Sequence, residues 1–382
     1  MACTHPYWSA LQVGSQHLAR QFAKNRWQVH YISAPVTPLH LPAFLNSGNE
    51  VVRRFRCALK GPTIHAEGTI HSYVPFSLVA PAGLPLLRTR EVTDHWHQTM
   101  IPTLRRLKEN MVPHGLDLLY IDNLSYHFLL DTLDYGKSIF RVMDFHDGFP
   151  GWKGEPRKLA DKIAKKSHLT VYSALGLKNY VAGLTPRKAA FVPNGVDGDL
   201  FRQNHQARSR HPLLDNIPDP IVLYTGMIDS RIDFPLIRFA AKHLPYVSFV
   251  FTGTIQGLKK PKGLPKNIYF TGPIPHKELP LLMETAAGGM IPFDVNNAMG
   301  LIQGIRPLKL LEYMAAGLPV LSASWPELKK MNSPAWIYND KNQFVDLVSK
   351  AVCSPYDPSE SINFSLAHDW NQSFKLMLKA FI

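Results

Sequence analysis

The sequence predicts an α/β protein made of two parallel-sheet domains. Its 382 residues suffice for two or three domains. Short β-branched or aromatic segments alternate with amphipathic helical segments, and this alternation runs twice, with a polar stretch at residues 202–219 between the two runs. Because strands that alternate with helices form parallel sheets with right-handed crossovers, we expect two Rossmann-like domains that face each other across a cleft.

The first run begins with a helix. The spacing of Leu18 and Phe22 predicts this helix over residues 15–24. Residues 35–95 fit the alternation poorly, because Pro and Gly are frequent there, and we expect an irregular insertion. The predicted strands of this run cover residues 28–33, 117–121, 138–142, 169–172 and 189–192.

The second run repeats the same rhythm. Its predicted strands cover residues 221–225, 247–252, 267–271, 289–292, 319–322 and 335–338. We therefore expect a first domain over residues 1–197, a linker over 198–219 and a second domain over 220–360. Residues 361–382 are predicted to form a C-terminal helix, a candidate to pack back on the first domain.

The composition is that of a basic globular protein. Lys and Arg number 42 against 29 Asp and Glu, so the formal net charge is +13. Apolar residues make up 45% and charged residues 19%, which excludes an intrinsically disordered chain. The positive charge predicts an anionic partner, which is nucleic acid, an acidic lipid surface or a phosphorylated substrate. Charge alone does not choose among these three.

Cysteine usage and hydropathy point to the cytoplasm. The three cysteines, Cys3, Cys57 and Cys353, are far apart and form no disulfide framework or zinc motif. The chain has no run of 18 apolar residues that could span a bilayer, and its N-terminus lacks the features of a signal peptide. The 17 histidines show no metal-binding spacing, so we expect no metal and no other cofactor.

Residues 306–320 carry the strongest chemical signal. A helix is expected to begin near Pro307 and to end at Gly317, with a strand on each side. Arg306 and Lys309 lie at the helix N-terminus, where the helix dipole also favours a phosphate, and Glu312 lies one turn further on. The alternative is a plain amphipathic helix with an exposed Lys–Glu pair. Agreement of the cap and the flanking strands favours the phosphate site.

A second phosphate-binding candidate follows the first strand of the second run. Gly226 and Met227 end this strand, and a glycine there lets the backbone approach a diphosphate closely. Most such glycines only turn the chain, so the position of Gly226 after the first strand of a nucleotide-binding half is what supports this role.

Three segments together resemble a known family. Residues 309–320, Lys-Leu-Leu-Glu-Tyr-Met-Ala-Ala-Gly-Leu-Pro-Val, resemble the donor-binding signature of GT-B glycosyltransferases. Residues 193–197, Pro-Asn-Gly-Val-Asp, followed by Phe201, resemble the interdomain segment of that superfamily, and residues 15–20 resemble its first helix. Within the superfamily the chain is most similar to bacterial polysaccharide enzymes of the GumK glucuronosyltransferase and teichuronic acid type.

The resemblance implies a substrate class and site residues. It implies a GT-B enzyme that transfers a sugar from a nucleotide-diphosphate donor, UDP-linked, to a glycan or lipid-linked glycan acceptor in surface polysaccharide biosynthesis. It places Leu308, Lys309 and Glu312 in the donor site and makes Phe293 a donor-contacting aromatic, a residue that would otherwise be assigned to the core. It implies metal-independent catalysis by a cytoplasmic protein peripherally associated with the inner face of the membrane.

The chain departs from the retaining members of the superfamily. They commonly carry Glu-x7-Glu, but eight residues before Glu312 stands Gly304, which favours an inverting mechanism. Inversion needs a general base for the acceptor hydroxyl. Alignment of residues 146–148 with the Ser-Asp-Gly of GumK makes Asp147 this base, with Asp144 as its neighbour and alternative. Either carboxylate could instead serve only to form a turn.

The basic residues before residue 197 form clusters. One group, in the expected irregular insertion, comprises Arg53, Arg54, Arg56 and Lys60. Another, on a predicted helix, comprises Lys158, Lys162, Lys165 and Lys166, and this helix could rest on anionic lipid headgroups. The alternative is an ordinary solvated helix face. A sugar carboxylate on the donor would need a further cation, for which Arg231 and Arg306 are candidates.

Two other functions remain open at this stage. A UDP-sugar 2-epimerase shares the two-domain architecture, but we find no set of carboxylates and histidines suited to proton abstraction from a sugar ring. A nucleic-acid-binding protein would explain the charge, but no RRM, KH, zinc-finger or basic-aromatic motif is present, and we expect no nucleic-acid partner.

Overall fold

The chain forms two compact units. The structure, a computed structural model, describes residues 1–40, 48–65, 68–81, 87, 89–146, 155–201, 210–257 and 262–381. The first unit comprises Met1–Val192 and Phe374–Ile382, and the second comprises Pro193–Ser373. Each unit has its own sheet and its own hydrophobic core.

The first unit contains nine strands and seven helices within the described residues. The strands are β1 (Val29–Ile32), β2 (Thr63–His65), β3 (Ile70–Tyr73), β4 (Phe76–Ser77), β5 (Met100–Ile101), β6 (Leu116–Ile121), β7 (Tyr135–Val142), β8 (Leu169–Tyr172) and β9 (Ala189–Phe191). The helices are α1 (Gly14–Lys24), α2 (Gly48–Lys60), α3 (Arg90–His95), α4 (Leu104–Met111), α5 (Leu129–Thr132), α6 (Glu155–Lys166) and α7 (Lys178–Ala182).

The main sheet of the first unit consists of two parts, which Ala2, near the N-terminus, connects. Strands β2, β3 and β1 form one side, in the order β1-β3-β2, and the parallel strands β6-β7-β8-β9 form the other. Ala2 forms parallel bridges to Ile32 and to Ile121 and so connects the two halves. β2 is antiparallel to β3, whereas the other pairs in this sheet are parallel.

The second unit continues with strands β10 to β15 and helices α8 to α16. The strands are β10 (Ile221–Thr225), β11 (Ser248–Thr252), β12 (Ile268–Phe270), β13 (Ala286–Ile291), β14 (Val320–Ala323) and β15 (Trp336–Tyr338). The helices are α8 (Gly198–Phe201), α9 (Phe234–His243), α10 (Leu279–Met283), α11 (Met299–Ile302), α12 (Leu308–Ala315), α13 (Pro326–Met331), α14 (Lys341–Cys353), α15 (Ser359–Leu366) and α16 (Trp370–Lys379), which ends within the first unit.

The second sheet is doubly wound and entirely parallel. Its strand order is β12-β11-β10-β13-β14-β15, the Rossmann arrangement, in which the chain reverses direction across the sheet between β10 and β13. All residues of β10 and β11 are buried, as expected of parallel strands covered by helices on both faces. This continuous burial explains why apolar runs predicted these strands well.

The structure differs from the sequence-based expectation between residues 35 and 95. This segment is not an irregular insertion throughout, because it contains the 13-residue helix α2 and the strand β3, which pairs with β1 in the main sheet. The polar residues His71 and Ser72 interrupt the apolar pattern of β3, so the sequence did not predict a strand there. Where one C-terminal helix was predicted, the chain forms α15 and α16, and Phe374 of α16 packs edge-on against Phe22 of α1.

Candidate functional site

Several predicted site residues lie at the switch point of the second sheet, which is the place between β10 and β13 where the winding of the chain reverses. β10 runs into Gly226, and its neighbour β13 runs into residues 292–293, so both carboxyl ends lie at the place where the winding reverses. Ligands of open α/β sheets bind in the crevice formed at such a point. Helix α12, which carries Lys309 and Glu312, reaches the same place.

Two glycines let the loops at this edge pack closely. Gly226 has φ +113°, and a Cβ built on it would lie 3.2 Å from the Lys309 ammonium nitrogen. Gly253, which follows β11, has φ +153°, and a Cβ there would lie 1.8 Å from the Gly226 carbonyl oxygen. Only glycine tolerates such a backbone conformation and contact, so this sequence brings the Lys309 side chain directly onto the backbone of Gly226.

Helix α12 is held in place by Tyr313. The backbone N–H of Thr225 donates to the Tyr313 hydroxyl oxygen at 2.7 Å. The Tyr313 ring covers Gly289 of β13, where an added Cβ would lie 2.4 Å from the ring. Pro307 caps the start of the helix, and Gly317, at φ +76°, follows its end, so the predicted helix limits are confirmed. The helix N-terminus is thereby fixed relative to β10 and β13.

Lys309 is a partly buried cation that has no carboxylate partner among the residues that the structure describes. Its Nζ lies 3.7 Å from the centre of the Tyr224 ring and 5.5 Å from that of Phe293. Among the described residues it makes no hydrogen bond or ion pair, so the alternative of a Lys–Glu pair with Glu312 does not form there. Burial, followed by the charge of Arg231, holds the pKa of Lys309 well below its usual value, although Glu312 and Asp229 raise it in part.

Arg231 is a second cation at the same aromatic ring. Its guanidinium carbon lies 5.8 Å from the centre of the Phe293 ring. Asp229 holds the guanidinium, with Nε donating to Oδ1 at 2.9 Å, and the N–H of Asp294 donates to the Arg231 carbonyl at 2.7 Å. Two cations beside one ring repel each other, and a bound anion would relieve that repulsion.

Glu312 is paired with a histidine that the sequence did not reveal. His276 Nε2 lies 2.8 Å from Glu312 Oε1, and the two side chains are only 11% and 10% exposed. His276 begins a 3-10 turn, His276–Glu278, that follows β12 at the same edge of the sheet. No local sequence pattern marked His276, and its position after a strand of the second run was the one available signal.

The remaining predicted donor residues have contacts within the protein. The Arg306 guanidinium is buried, with Nη1 3.6 Å from Oε1 of the fully buried Glu327. Burial lowers the pKa of Arg306, and Glu327 raises it in part. The carbonyl of Met227 accepts a hydrogen bond from the Tyr224 hydroxyl at 2.6 Å. Leu308 is the half-buried first residue of α12. The Arg306 side chain is thus buried against Glu327, and its assignment to the donor site stays a prediction.

The two predicted catalytic carboxylates lie in the first unit, after β7. Asp144 is exposed, and Asp147 lies outside the described residues. Between them, His146 Nδ1 lies 3.1 Å from the Tyr180 hydroxyl. The assignment of a general base to Asp147 or Asp144 stays a prediction.

A buried polar cluster marks the corresponding switch point of the first unit. Asp122 directly follows β6 and accepts hydrogen bonds from the Ser15 hydroxyl and, at 3.2 Å, from the Thr4 N–H. Burial raises the pKa of Asp122, and Ser15 and Arg141 counteract this. A Cβ on Gly14 would lie 2.5 Å from the Arg141 guanidinium. These contacts fix the N-terminus of α1, and two of the residues that make them, Asp122 and Arg141, were not identified from the sequence.

The two basic clusters differ in how their charges are used. On α6, Lys162 Nζ lies 3.3 Å from His127 Nδ1, and Lys165 and Lys166 pair with Asp161 and Asp131. On α2, Arg56, Lys60 and Leu59 are exposed, Leu59 by 85%, and the Arg53 guanidinium stacks 4.1 Å above the Trp8 ring. The basic side chains of α2 thus flank an exposed apolar residue, whereas those of α6 form pairs within the protein.

Two kinds of feature are absent from the described part of the chain. No group of three or more His, Cys, Asp or Glu side chains is arranged to hold a metal ion among the residues that the structure describes. Within the same residues, no helix combines the length and the apolar character that a membrane crossing requires.

Known proteins resemble this chain in sequence over part of its length and in fold over all of it. No family model matches. A Bacillus subtilis (strain 168) protein, the teichuronic acid biosynthesis glycosyltransferase TuaH by its assigned name, is 30% identical over 207 residues, which are 50% of each chain. The chain therefore matches about half the length of this curated relative.

Solved structures of glycosyltransferases match the whole chain. Sucrose-phosphate synthase from Thermosynechococcus elongatus has a TM-score of 0.69 at 14% identity, covering 100% of this chain and 97% of that one. Anabaena HepE, solved in complex with UDP-glucose, has a TM-score of 0.62 at 11% identity, covering 99% of both chains. Identities this low establish the fold alone. The predicted two-domain α/β fold is thus confirmed as the fold of GT-B glycosyltransferase structures.

Proposed function

We propose that this protein is a glycosyltransferase that takes a sugar from a UDP-linked donor and transfers it to a glycan or lipid-linked glycan in surface polysaccharide biosynthesis. The name of the partial relative TuaH and the UDP-glucose bound to HepE support this substrate class. The observation that carries the proposal is the Lys309 ammonium, which lies at the switch point against two aromatic rings without a carboxylate partner among the described residues.

The donor diphosphate is assigned to the space beside Lys309 and Arg231. Both cations flank Phe293, and the N-terminus of α12, which no N-cap side chain covers, adds the partial positive charge of the helix dipole. Because residue 226 is a glycine, no side chain lies between its backbone and the Lys309 ammonium. These groups stabilise the negative charge that develops on the departing diphosphate, and this accounts for the proposed metal-independent catalysis.

The nucleoside and sugar of the donor are assigned to the flanking residues. The carboxylate of Glu312, one turn beyond Lys309, accepts hydrogen bonds from the ribose hydroxyls. Phe293, Leu308 and Met227 line the donor site by the family resemblance. Arg231 is the better placed cation for a sugar carboxylate, because its side chain is 25% exposed whereas that of Arg306 is 6% exposed. A GumK-type glucuronosyl donor fits this arrangement.

The chemistry proposed for the acceptor hydroxyl is direct displacement with inversion. Asp147, or Asp144 in its place, removes the proton from the hydroxyl as it attacks the anomeric carbon, whose bond to the diphosphate oxygen breaks. Gly304, which stands where retaining enzymes carry their first Glu, supports inversion. The product is a glycoside of opposite anomeric configuration together with UDP.

We assign contact with an anionic membrane surface to α2 rather than to α6. The exposed Leu59 lies among exposed basic side chains of α2, a combination suited to the headgroup region of an acidic bilayer. The α6 lysines pair with His127, Asp161 and Asp131, which leaves them less charge to offer to a membrane. A lipid-linked acceptor would be reached from such a surface.

Incubation of the purified protein with a panel of UDP-sugars tests the proposal. The expected result is saturable UDP binding by calorimetry and slow release of UDP from one donor sugar, accelerated by the correct acceptor. Conversion of a UDP-sugar into its 2-epimer without UDP release would instead identify an epimerase. Absence of binding to UDP and to every UDP-sugar, with tight and salt-sensitive binding to RNA, would refute the enzymatic function.

A further inference from the structure

We propose that His276 is a positioning residue that orients the Glu312 carboxylate and thereby sets the preference of the donor site for ribose. The inference rests on the proposed function, because it assigns the partner of the carboxylate that is expected to bind the nucleoside. It adds a residue that lies 36 positions away along the chain and that no local motif marks.

The contact between the two side chains is short and nearly closed to water. His276 Nε2 lies 2.8 Å from Glu312 Oε1, with the side chains 11% and 10% exposed. Among the described side chains, His276 is the one that pairs with this carboxylate. A buried carboxylate without a hydrogen-bond partner is costly, and the His276 contact gives the Glu312 carboxylate such a partner.

The imidazole is itself held from two sides. His276 begins the 3-10 turn after β12, next to the N-capping Pro275, whose φ of −59° is fixed by its ring. The Phe201 ring of α8 packs edge-on against the imidazole, with the ring centres 5.8 Å apart. A His held in this way confines the bound carboxylate to one orientation, which a free Glu side chain with three rotatable bonds would not keep.

The geometry leaves acceptor capacity for a ligand. A carboxylate has about four lone-pair positions on two oxygens, and the His276 contact uses one on Oε1. Oε2 is therefore oriented but still able to accept hydroxyl hydrogen bonds. Lys309 lies one turn away on α12, so a nucleoside diphosphate can place phosphate at the ammonium and ribose at this carboxylate at the same time.

Calorimetric titration with UDP and with 2′,3′-dideoxy-UDP tests the proposal, because only UDP carries the ribose hydroxyls. We expect the wild-type protein to prefer UDP by about 10-fold or more, the worth of a hydrogen bond to a charged group. His276→Ala should reduce this preference to about 3-fold or less while leaving the affinity for the dideoxy analogue nearly unchanged. His276→Gln, whose amide N–H can replace Nε2–H, should restore most of the preference.

A double-mutant cycle and a matched control separate positioning from a general structural role. In a Glu312→Gln background, His276→Ala should cause no further loss of preference, because its effect passes through the carboxylate. His211→Gln is the control, since His211 Nε2 pairs with Glu278 of the same 3-10 turn, at 3.5 Å, whereas the Glu312 carboxylate pairs with His276. This variant should keep the wild-type preference.

The outcomes distinguish this inference from the proposed function. If wild-type protein binds neither nucleotide, the proposed function fails. If it binds UDP but His276→Ala keeps the full ribose preference, or weakens both nucleotides equally, the positioning role is overturned and the UDP-sugar function stands. Loss of preference in His211→Gln as large as in His276→Ala would also overturn it, because the turn as a whole would then be responsible.

Discussion

Replacement of Lys309 by Met should weaken donor binding and stabilise the ligand-free protein at the same time. The change removes the ammonium that lies 3.7 Å from the centre of the Tyr224 ring but leaves an unbranched side chain that packs well against aromatic rings. A contact between an ammonium and a phosphate contributes about 1.5–3 kcal/mol, so UDP should bind about 10- to 100-fold more weakly.

The stability effect follows from the lowered pKa of Lys309. Because burial and Arg231 lower this pKa in the folded protein, the unfolded chain holds the proton more tightly. The charge therefore destabilises the ligand-free fold at neutral pH, and the penalty shrinks only as pH rises from the folded pKa toward the unfolded value of about 10.4. Lys309→Met removes the penalty, so the melting temperature without ligand should rise.

Proton linkage gives the same prediction a second readout. A bound diphosphate raises the pKa of Lys309, so binding is accompanied by proton uptake wherever the pH exceeds the ligand-free pKa. The affinity of the wild-type protein for UDP should therefore fall as pH rises above that value. Calorimetry in two buffers of different ionisation enthalpy measures the uptake, which Lys309→Met should abolish.

Lys350→Met provides the matched control for these measurements. Lys350 Nζ lies 4.3 Å from the centre of the Trp336 ring, so this variant also removes a lysine from an aromatic face, but away from the switch point. It should leave UDP affinity and proton uptake unchanged. UDP affinity within twofold of the wild type in Lys309→Met, measured with folded protein, would refute the reasoning about the diphosphate site.

Three further substitutions test separate parts of the molecule. Gly226→Ala places a Cβ 3.2 Å from the Lys309 ammonium at a φ of +113°. It should lower the free energy of unfolding in urea by about 1–3 kcal/mol and weaken UDP binding. No change in either quantity would show that the loop tolerates a side chain. Asp147→Asn should abolish sugar transfer while UDP affinity by calorimetry stays constant, and loss of transfer in Asp144→Asn alone would move the base to that residue. Arg56→Glu on α2 should reduce co-sedimentation with phosphatidylglycerol vesicles, whereas Lys165→Glu on α6 should not; the reverse result would return the membrane contact to α6.

The parts of the fold that the sequence predicted are those with a continuous apolar signal. β8 and β10 were predicted to the residue, because every position in them is buried and apolar or aromatic save the threonines. β3 was missed because His71 and Ser72 occupy its middle, and its partner strand β1 is distant in the chain. Whether such a strand joins a sheet depends on its pairing with a strand that is distant in the chain, and the local sequence carries no information about that pairing.

The candidate site shows the same division between local and non-local information. Lys309 and Glu312 were found because they lie on one helix with recognisable limits. His276 reaches Glu312 across 36 residues, and the pairing of Arg306 with Glu327 joins a loop to another helix, α13. Both contacts depend on how strands β12, β13 and β14 order themselves in the sheet, and they could not be deduced from spacing along the chain.

The contrast between Arg306 and Lys309 is the strongest argument that the site binds an anion. The two residues lie three positions apart at the start of one helix, and burial lowers the pKa of both. Arg306 is matched by the fully buried carboxylate of Glu327, the usual arrangement for a charge that serves the fold. Lys309 has no such partner among the described residues and faces a second cation, Arg231, instead. A structural lysine in that position would be selected against as destabilising, so its missing counter-charge is expected to come from a ligand.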